Sequence, residues 1–203
     1  MKLMDAIKDK HGKLEIMECS RFDLPEFFVE LGYKVGVEIG VYKGKFSRHL
    51  CKSGIEIYSI DPWSIYDDFN EVAMQYPWRP RRHVDQAHLD YLFSMASWRL
   101  NRFSNSHIVR KTSMEAAKDF DNESIDFVYI DGNHFIKYVA EDIWEWTKKV
   151  KKGGIVAGHD YLTREDCPCQ VKEVVDIYAR VFGIEDWYII GPESAKTWMW
   201  FKK

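Results

Sequence analysis

Carboxylates and histidines in this chain stand where apolar runs stop. Glu38 and Gly40 close VGVEIG at 35–40, Asp61 closes IEIYSID at 55–61, Asp131 closes DFVYID at 126–131, and His159 and Asp160 close GGIVAGHD at 153–160. Each run is β-branched and breaks off at polar residues, as strands do at the ligand-bearing rim of a parallel sheet. A carboxylate beside a glycine turn repels a pyrophosphate and attracts a ligand that carries positive charge. Asp61 lies 21 residues beyond Gly40, close to the roughly 20 at which a nucleotide-binding unit places a ribose-binding carboxylate, and it can accept from both hydroxyls of a ribose. Asp131 and Asp160, at the ends of neighbouring strands about 5 Å apart, either share a divalent cation or repel one another. His134 follows Asp131 by three residues, and an imidazole with an ordinary pKa near 6.5 can take a hydroxyl proton at neutral pH.

These groups need strands and helices in alternation to position them. FDLPEFFVEL at 22–31 has helical apolar spacing and stops at Gly32, so a helix leads into the first strand. Beyond Gly44, helical spacing resumes at Phe46, Leu50 and Cys51 and leads to the strand ending at Asp61. A second unit runs from HIVRKTS at 107–113 through a short helix near 114–119 to the strand ending at Asp131. A third runs from a helix near 135–150 through GGIVAGHD to a helix near 170–182, and DWYII and AKTWMWFKK flank a GPES turn as an antiparallel hairpin. The order predicts an α/β domain with a mostly parallel sheet covered on both faces. Glu141 and Asp142 read as a solvated face of the third unit's first helix.

Composition bounds the rest. A chain of 203 residues with 46% hydrophobic content supports one domain, 1–203, with a substantial core. Within it, an N-terminal segment of about 1–32 reads as helical, and residues 62–106 form an aromatic-rich insertion, long enough for a lid or an added packed element. The insertion's aromatics suit either a substrate wall or an interface between copies. Arg79, Arg81, Arg82 and His83 form a basic cluster within it, readable as an anion site or as a solvated loop. A net charge of −3 supplies no overall attraction to nucleic acid. No apolar run of signal-peptide or membrane-span length is present, so a soluble, cytoplasmic protein with no membrane partner is expected. Cys19, Cys51, Cys167 and Cys169 fit no zinc or C-x-x-C spacing and read as reduced structural thiols.

The dinucleotide fingerprint G-x-G-x-x-G is absent; the turn reads E-x-G-x-x-x-G. A ligand with an ammonium and a sulfonium group, such as S-adenosylmethionine, satisfies Glu38. With EIGVYKGKFS at 38–47, IDPWS at 60–64, IDGNH at 130–134, GGIVAGHDY at 153–161 and KTWMWFK at 196–202 in this order, the chain resembles the class I S-adenosylmethionine-dependent methyltransferases. Within them it is similar to the group of macrolide-sugar O-methyltransferases and cephalosporin hydroxylase-like proteins. The resemblance extends from about residue 22 to the end of the sequence. It implies a three-layer Rossmann-like fold with a seven-stranded sheet in the order 3-2-1-4-5-7-6, its last strand antiparallel.

The resemblance also implies roles. Glu38, Gly40 and Gly44 would line the methionine part of the cofactor, Asp61 would hold the ribose, Ser113 and Met114 would approach the adenine, and Trp63 would sit beside the adenosine or the acceptor. Asp131 would contact the cofactor, Asp131 and Asp160 would bind magnesium or another divalent cation, and His134 would act as base with Asp131 as its catalytic partner. Without a cation, Asp131 would contact only the cofactor and Asp160 would cap the next segment. At His159 the chain departs from relatives with a second acid there; an imidazole ligand turns preference toward manganese, iron or zinc. Other readings of the same residues stand: Gly40 and Gly44 let a strand turn into a helix, Asp61 before a proline is a turn residue, and Met114 is core. The activity implied is O-methylation of a small hydroxylated acceptor such as a sugar or glycosylated metabolite, in an enzyme that self-associates as relatives often do. The alternatives are hydroxylase-like chemistry on the same fold and a non-catalytic assembly role.

Overall fold

Parallel strands buried on both faces must be apolar throughout, and the helices covering them must carry an apolar stripe. A computed structural model describes residues 2–65, 85–162 and 169–203 and shows how the chain meets both demands. Tyr66, Phe69, Tyr76, Trp78, the Arg79–His83 basic cluster and Cys167 lie outside the described residues. In chain order the elements are α1 (Leu3–Ile7), β1 (Lys13–Ile16), α2 (Leu24–Glu30), β2 (Val35–Ile39), α3 (Lys45–Cys51), β3 (Glu56–Ile60), α4 (Gln86–Leu100) and β4 (Ser106–Val109). There follow α5 (Ser113–Ala116), β5 (Ile125–Ile130), α6 (Ile136–Lys149), β6 (Val150–Tyr161), α7 (Val171–Val181), β7 (Trp187–Ile190) and β8 (Lys196–Phe201).

The sheet has eight strands in the order β1-β7-β8-β6-β5-β2-β3-β4. Its seven strands from β2 onward stand in the expected order, with β8 antiparallel to both β6 and β7. The eighth strand corrects one expectation: residues 1–32 are not all helical, because Lys13–Ile16 pairs in parallel with Trp187–Ile190 and extends the sheet edge. Only Ile16 of this strand is buried. So short a run, with a single buried position, carries no period by which to recognise it.

At the sheet centre, β5 is buried at every position. Its side chains alternate between two cores. Phe127 and Tyr129 join Phe27, Phe28, Phe46 and Leu50 under α2 and α3, while Val128 and Ile130 join Val139, Ile143 and Trp146 under α6. The Phe127 ring stacks on Phe28 with centroids 3.9 Å apart, and it occupies space that only a glycine leaves on the adjoining strand. A methyl group at Gly36 would lie 2.0 Å from the tip of that ring. Gly36→Ala is therefore expected to lower the unfolding free energy by about 1–3 kcal/mol through overpacking. A urea midpoint unchanged from wild type would show that the ring has room to move.

Candidate active site

The strand ends of β2 and β5 touch. Gly40 adopts φ +86°, and a methyl group there would lie 2.1 Å from the Asp131 carbonyl oxygen. The Gly40 N–H donates to the Ile60 carbonyl at 2.9 Å, and the Asp131 N–H donates to that of Ile39 at 2.7 Å. Three strand ends are thereby drawn together. Just inside this junction Glu38 is 2% exposed, and its Oε2 has no hydrogen-bond partner among the described residues. Burial pushes its carboxyl up to about 8, although the nearby Ser47 hydroxyl favours the charged form.

Asp61 ties the loop that follows. Its Oδ2 accepts from the Val41 and Tyr42 N–H groups at 3.0 and 2.9 Å, and its Oδ1 accepts from the Trp63 N–H at 2.8 Å. Burial raises its carboxyl while these backbone donors oppose the shift. The turn-residue reading of Asp61 and its place on the cavity wall hold together. Trp63, at φ +42° and 2% exposed, donates from Nε1 to the Tyr42 carbonyl at 2.9 Å and meets Phe93 edge to face. Its ring braces the loop as well as lining the cavity. Gly44, at φ +68°, starts α3 where α4 crosses it: a methyl group there would stand 3.3 Å from the Ala96 Cα.

Ser113 and Met114 begin α5 behind a Thr112–Glu115 capping box. Both line the cavity, and Met114 also packs against the core beneath α6. The Ser113 hydroxyl accepts from Trp146 Nε1 at 2.8 Å. The same serine bonds Asp142, which corrects the solvated-face reading: Asp142 is 4% exposed, lines the cavity, and is pushed up to about 7 by burial against the opposing Ser113 hydrogen bond. Its neighbour Glu141 is half-buried on the same wall. The missed signal is spacing, since Asp142 shares the helix face of the buried Val139, Ile143 and Trp146.

The Asp131 end of the cavity is the more highly charged. One ligand atom from each of Asp131, His134 and Asp160 falls within 4.8 Å of the others. His134 Nε2 stands 2.8 Å from Asp160 Oδ2, and His159 Nδ1 stands 3.4 Å from Asp160 Oδ1 and 4.0 Å from Asp131 Oδ1. His134 thus stands in the same cluster as the two carboxylates, with the expected ligand His159 in reach of both. Asp160 holds φ +56°, a left-handed conformation that turns its carboxylate toward both imidazoles. Burial pushes Asp160 up, but hydrogen bonds and charge from the two histidines outweigh it and hold the carboxyl well below its ordinary range. Asp131 moves the other way, raised by burial and by the Asp160 charge.

Arg21 is a further member, absent from the sequence reading. Its Nη1 donates to Asp131 Oδ2 at 3.2 Å from a 3-10 turn (Arg21–Asp23), which is closed by a capping box between Ser20 and Asp23. The S-x-x-D pattern at 20–23 was the available cue.

These walls enclose a cavity of about 810 Å³ over the C-terminal strand ends. The buried Glu38 carboxyl, one oxygen of which lacks a partner among the described residues, has a consequence for stability. A carboxyl whose folded pKa is raised is most compatible with folding when protonated, so its contribution is full below the ordinary range and is lost as pH rises through the folded value. For Glu38, the ligand-free protein is expected to lose stability from about pH 4.5 to about 8, with a shallower fall in Glu38→Gln. Identical slopes in chemical denaturation would show Glu38 ionised throughout.

Residues 37–161 match a family model described as a methyltransferase domain. A curated relative, the uncharacterized protein y4gI of Sinorhizobium fredii, is 37% identical over 60 residues, which are 30% of this chain and 7% of that protein. A solved structure from Staphylococcus aureus, provisionally named a caffeoyl-CoA O-methyltransferase, superposes with TM-score 0.60 at 15% identity, covering 90% of this chain and 82% of that one. An O-methyltransferase of Bacillus cereus in complex with SAH gives TM-score 0.54 at 11% identity over 88% and 78% of the two chains. At these identities the likeness to solved structures is one of fold. The match over residues 37–161 spans well over half of the sequence, so the chain belongs to the methyltransferase-domain family, and its architecture is that of the class I S-adenosylmethionine-dependent methyltransferases.

Proposed function

We propose that this protein transfers the methyl group of S-adenosylmethionine to a hydroxyl of a small molecule, a sugar or a glycosylated metabolite, with help from a divalent cation. The observation that carries this reading is one cavity lined both by the buried, unpartnered Glu38 oxygen and by the Asp131 and His134 side chains. The first asks for a cationic ligand, and the second supplies acid–base chemistry beside it.

When bound, the cofactor supplies an activated methyl group on a sulfonium, so the protein's share is alignment and management of one proton. Glu38 balances the cofactor's positive charge in a site shielded from water. Asp61 keeps a lone pair for the ribose beyond its three backbone donors and, through them, gives the loop from Val41 to Trp63 its shape. Ser113, held by Trp146 and Asp142, defines the far wall for the adenine. His134 takes the acceptor's hydroxyl proton, and the Asp160 carboxylate beside it stabilises the imidazolium that results. Phe135 and Tyr138 on the same wall offer rings against which a sugar can pack.

Two carboxylates and adjacent imidazoles form a mixed oxygen and nitrogen donor set that fits a divalent cation, manganese, iron or zinc better than magnesium. Asp131 and Asp160 would hold it with one of the two imidazoles, His159 where His134 serves as the base, and it would supply Lewis-acid polarisation of the acceptor oxygen.

Calorimetric titration with S-adenosylhomocysteine is expected to give saturable binding, weakened at least about tenfold in Asp61→Ala. Absence of binding to folded wild-type protein, or binding without methyl transfer to any hydroxylated acceptor, would favour different chemistry on the same fold. In His134→Ala, cofactor-product and manganese affinities are expected to persist while turnover falls about a hundredfold or more. A matching loss of manganese affinity would make His134 a ligand rather than the base.

A further inference from the structure

Two stretches of this chain contain no acidic residue: 39–55 carries Lys43, Lys45, Arg48, His49 and Lys52, and 91–114 carries Arg99, Arg102, His107, Arg110 and Lys111. The fold packs part of the first against part of the second. Gly44 admits the α4 backbone at Ala96, and Arg99 Nη1 donates to the Lys43 carbonyl at 2.6 Å. Between them opens a second cavity of about 360 Å³, lined by Lys45, Arg48, His49, Lys52, Arg99 and Phe22.

The groove concentrates one sign of charge. Lys45, Arg48 and His49 fall on one face of α3, and Lys52, the residue that caps its C-terminus, continues that face at the three- and four-residue spacing of a helix. Among the described residues, none of the four permanent cations, Lys45, Arg48, Lys52 and Arg99, is ion-paired with a carboxylate. Burial, followed by the charges of Lys52, Arg48 and Arg21, holds the His49 imidazole below its ordinary value. Like charges gathered without counterions raise the free energy of the empty surface and favour a multiply charged anion. Beside them Phe22, 49% exposed, lies 4.8 Å from the His49 ring and adds an apolar floor.

The groove adjoins the active-site cavity. Lys45 lines both, and Arg21, which carries Phe22 as its chain neighbour, is the residue that bonds Asp131. From Lys45 to Lys52 the helix rises about 10 Å, so an anion seated on the groove lies within one small molecule's length of the active site. We propose that this groove binds a phosphate or pyrophosphate group carried by the methyl acceptor. The assignment of the anion to the acceptor rests on the proposed methyl transfer. A bounded groove of this volume on a chain of net charge −3 suits a phosphorylated small molecule better than a nucleic-acid backbone, which needs an extended basic track.

The test is a titration of the full chain with inorganic pyrophosphate at physiological ionic strength, in wild type and in Arg48→Glu/Lys52→Glu. Neither residue lines the active-site cavity, and both side chains are exposed, so S-adenosylhomocysteine affinity and the thermal midpoint serve as controls for folding. Saturable pyrophosphate binding, weakened at least about tenfold by the charge reversal and restored in Arg48→Lys/Lys52→Arg, is expected with both controls unchanged. Absence of saturable binding, or equal binding by the reversed variant, would overturn the proposal. So would a single-stranded RNA oligonucleotide that binds about a hundredfold tighter than pyrophosphate through the same two residues, since the surface would then belong to nucleic acid. Retained pyrophosphate binding in wild-type protein that fails to bind S-adenosylhomocysteine would instead remove the methyl-transfer reading, and with it the acceptor assigned to the groove.

Discussion

The close approach of Gly40 to Asp131 governs this molecule. Any side chain at position 40 would collide with the Asp131 carbonyl, so the junction of the two central strands exists only because that position is glycine in a left-handed conformation. Their convergence brings Glu38, Asp61 and Asp131, which stand on three different strand ends, to the walls of one cavity. Asp61 reinforces the arrangement from the side by accepting three backbone N–H groups. A single carboxylate thereby shapes the loop and contributes to the cavity it encloses.

The cost of this convergence is electrostatic. Burial of Glu38 and Asp142, and partial burial of Asp131 beside the Asp160 charge, raise all three carboxyls, and only some of their oxygens have partners. The charge is partitioned: Arg21 balances Asp131, Ser113 satisfies Asp142, and Glu38 is left with an unpartnered oxygen. Asp160 behaves oppositely, because two imidazoles converge on it. Neighbouring groups of the same chemistry driven in opposite directions are a mark of functional sites, where structure is arranged to set protonation state. A positive ligand at Glu38 and a proton acceptor at His134 use that asymmetry.

Positive charge is gathered just as deliberately on the α3–α4 side. The acidic interior of the cavity and the basic groove outside it share Lys45 as a common wall, so the surface changes sign over a short distance. An acceptor with an anionic group at one end and a hydroxyl at the other would be oriented by that gradient before any short-range contact forms.

Much of this was legible in the linear chain. Strand ends can be read wherever a β-branched run stops at glycine or acid, and the seven strands from β2 onward follow the order that the family resemblance implies. Glu38, Gly40, Asp61, Asp131 and His134 come to one cavity because each occupies a strand end or the turn after it, and such positions are set by local sequence. Other features depended on packing. The short strand β1 exists only because β7 offers it an edge, and Asp142 belongs to the cavity because α6 turns its apolar face inward. Arg21 reaches Asp131 across 110 residues of sequence, and the basic groove needs α3 and α4 side by side. Sequence by itself determined which residues end strands and which helices cover them, since those follow from periods of two and 3.6 along the chain. Tertiary structure alone decided which charges meet, because the energy of a buried charge depends on neighbours far away in sequence.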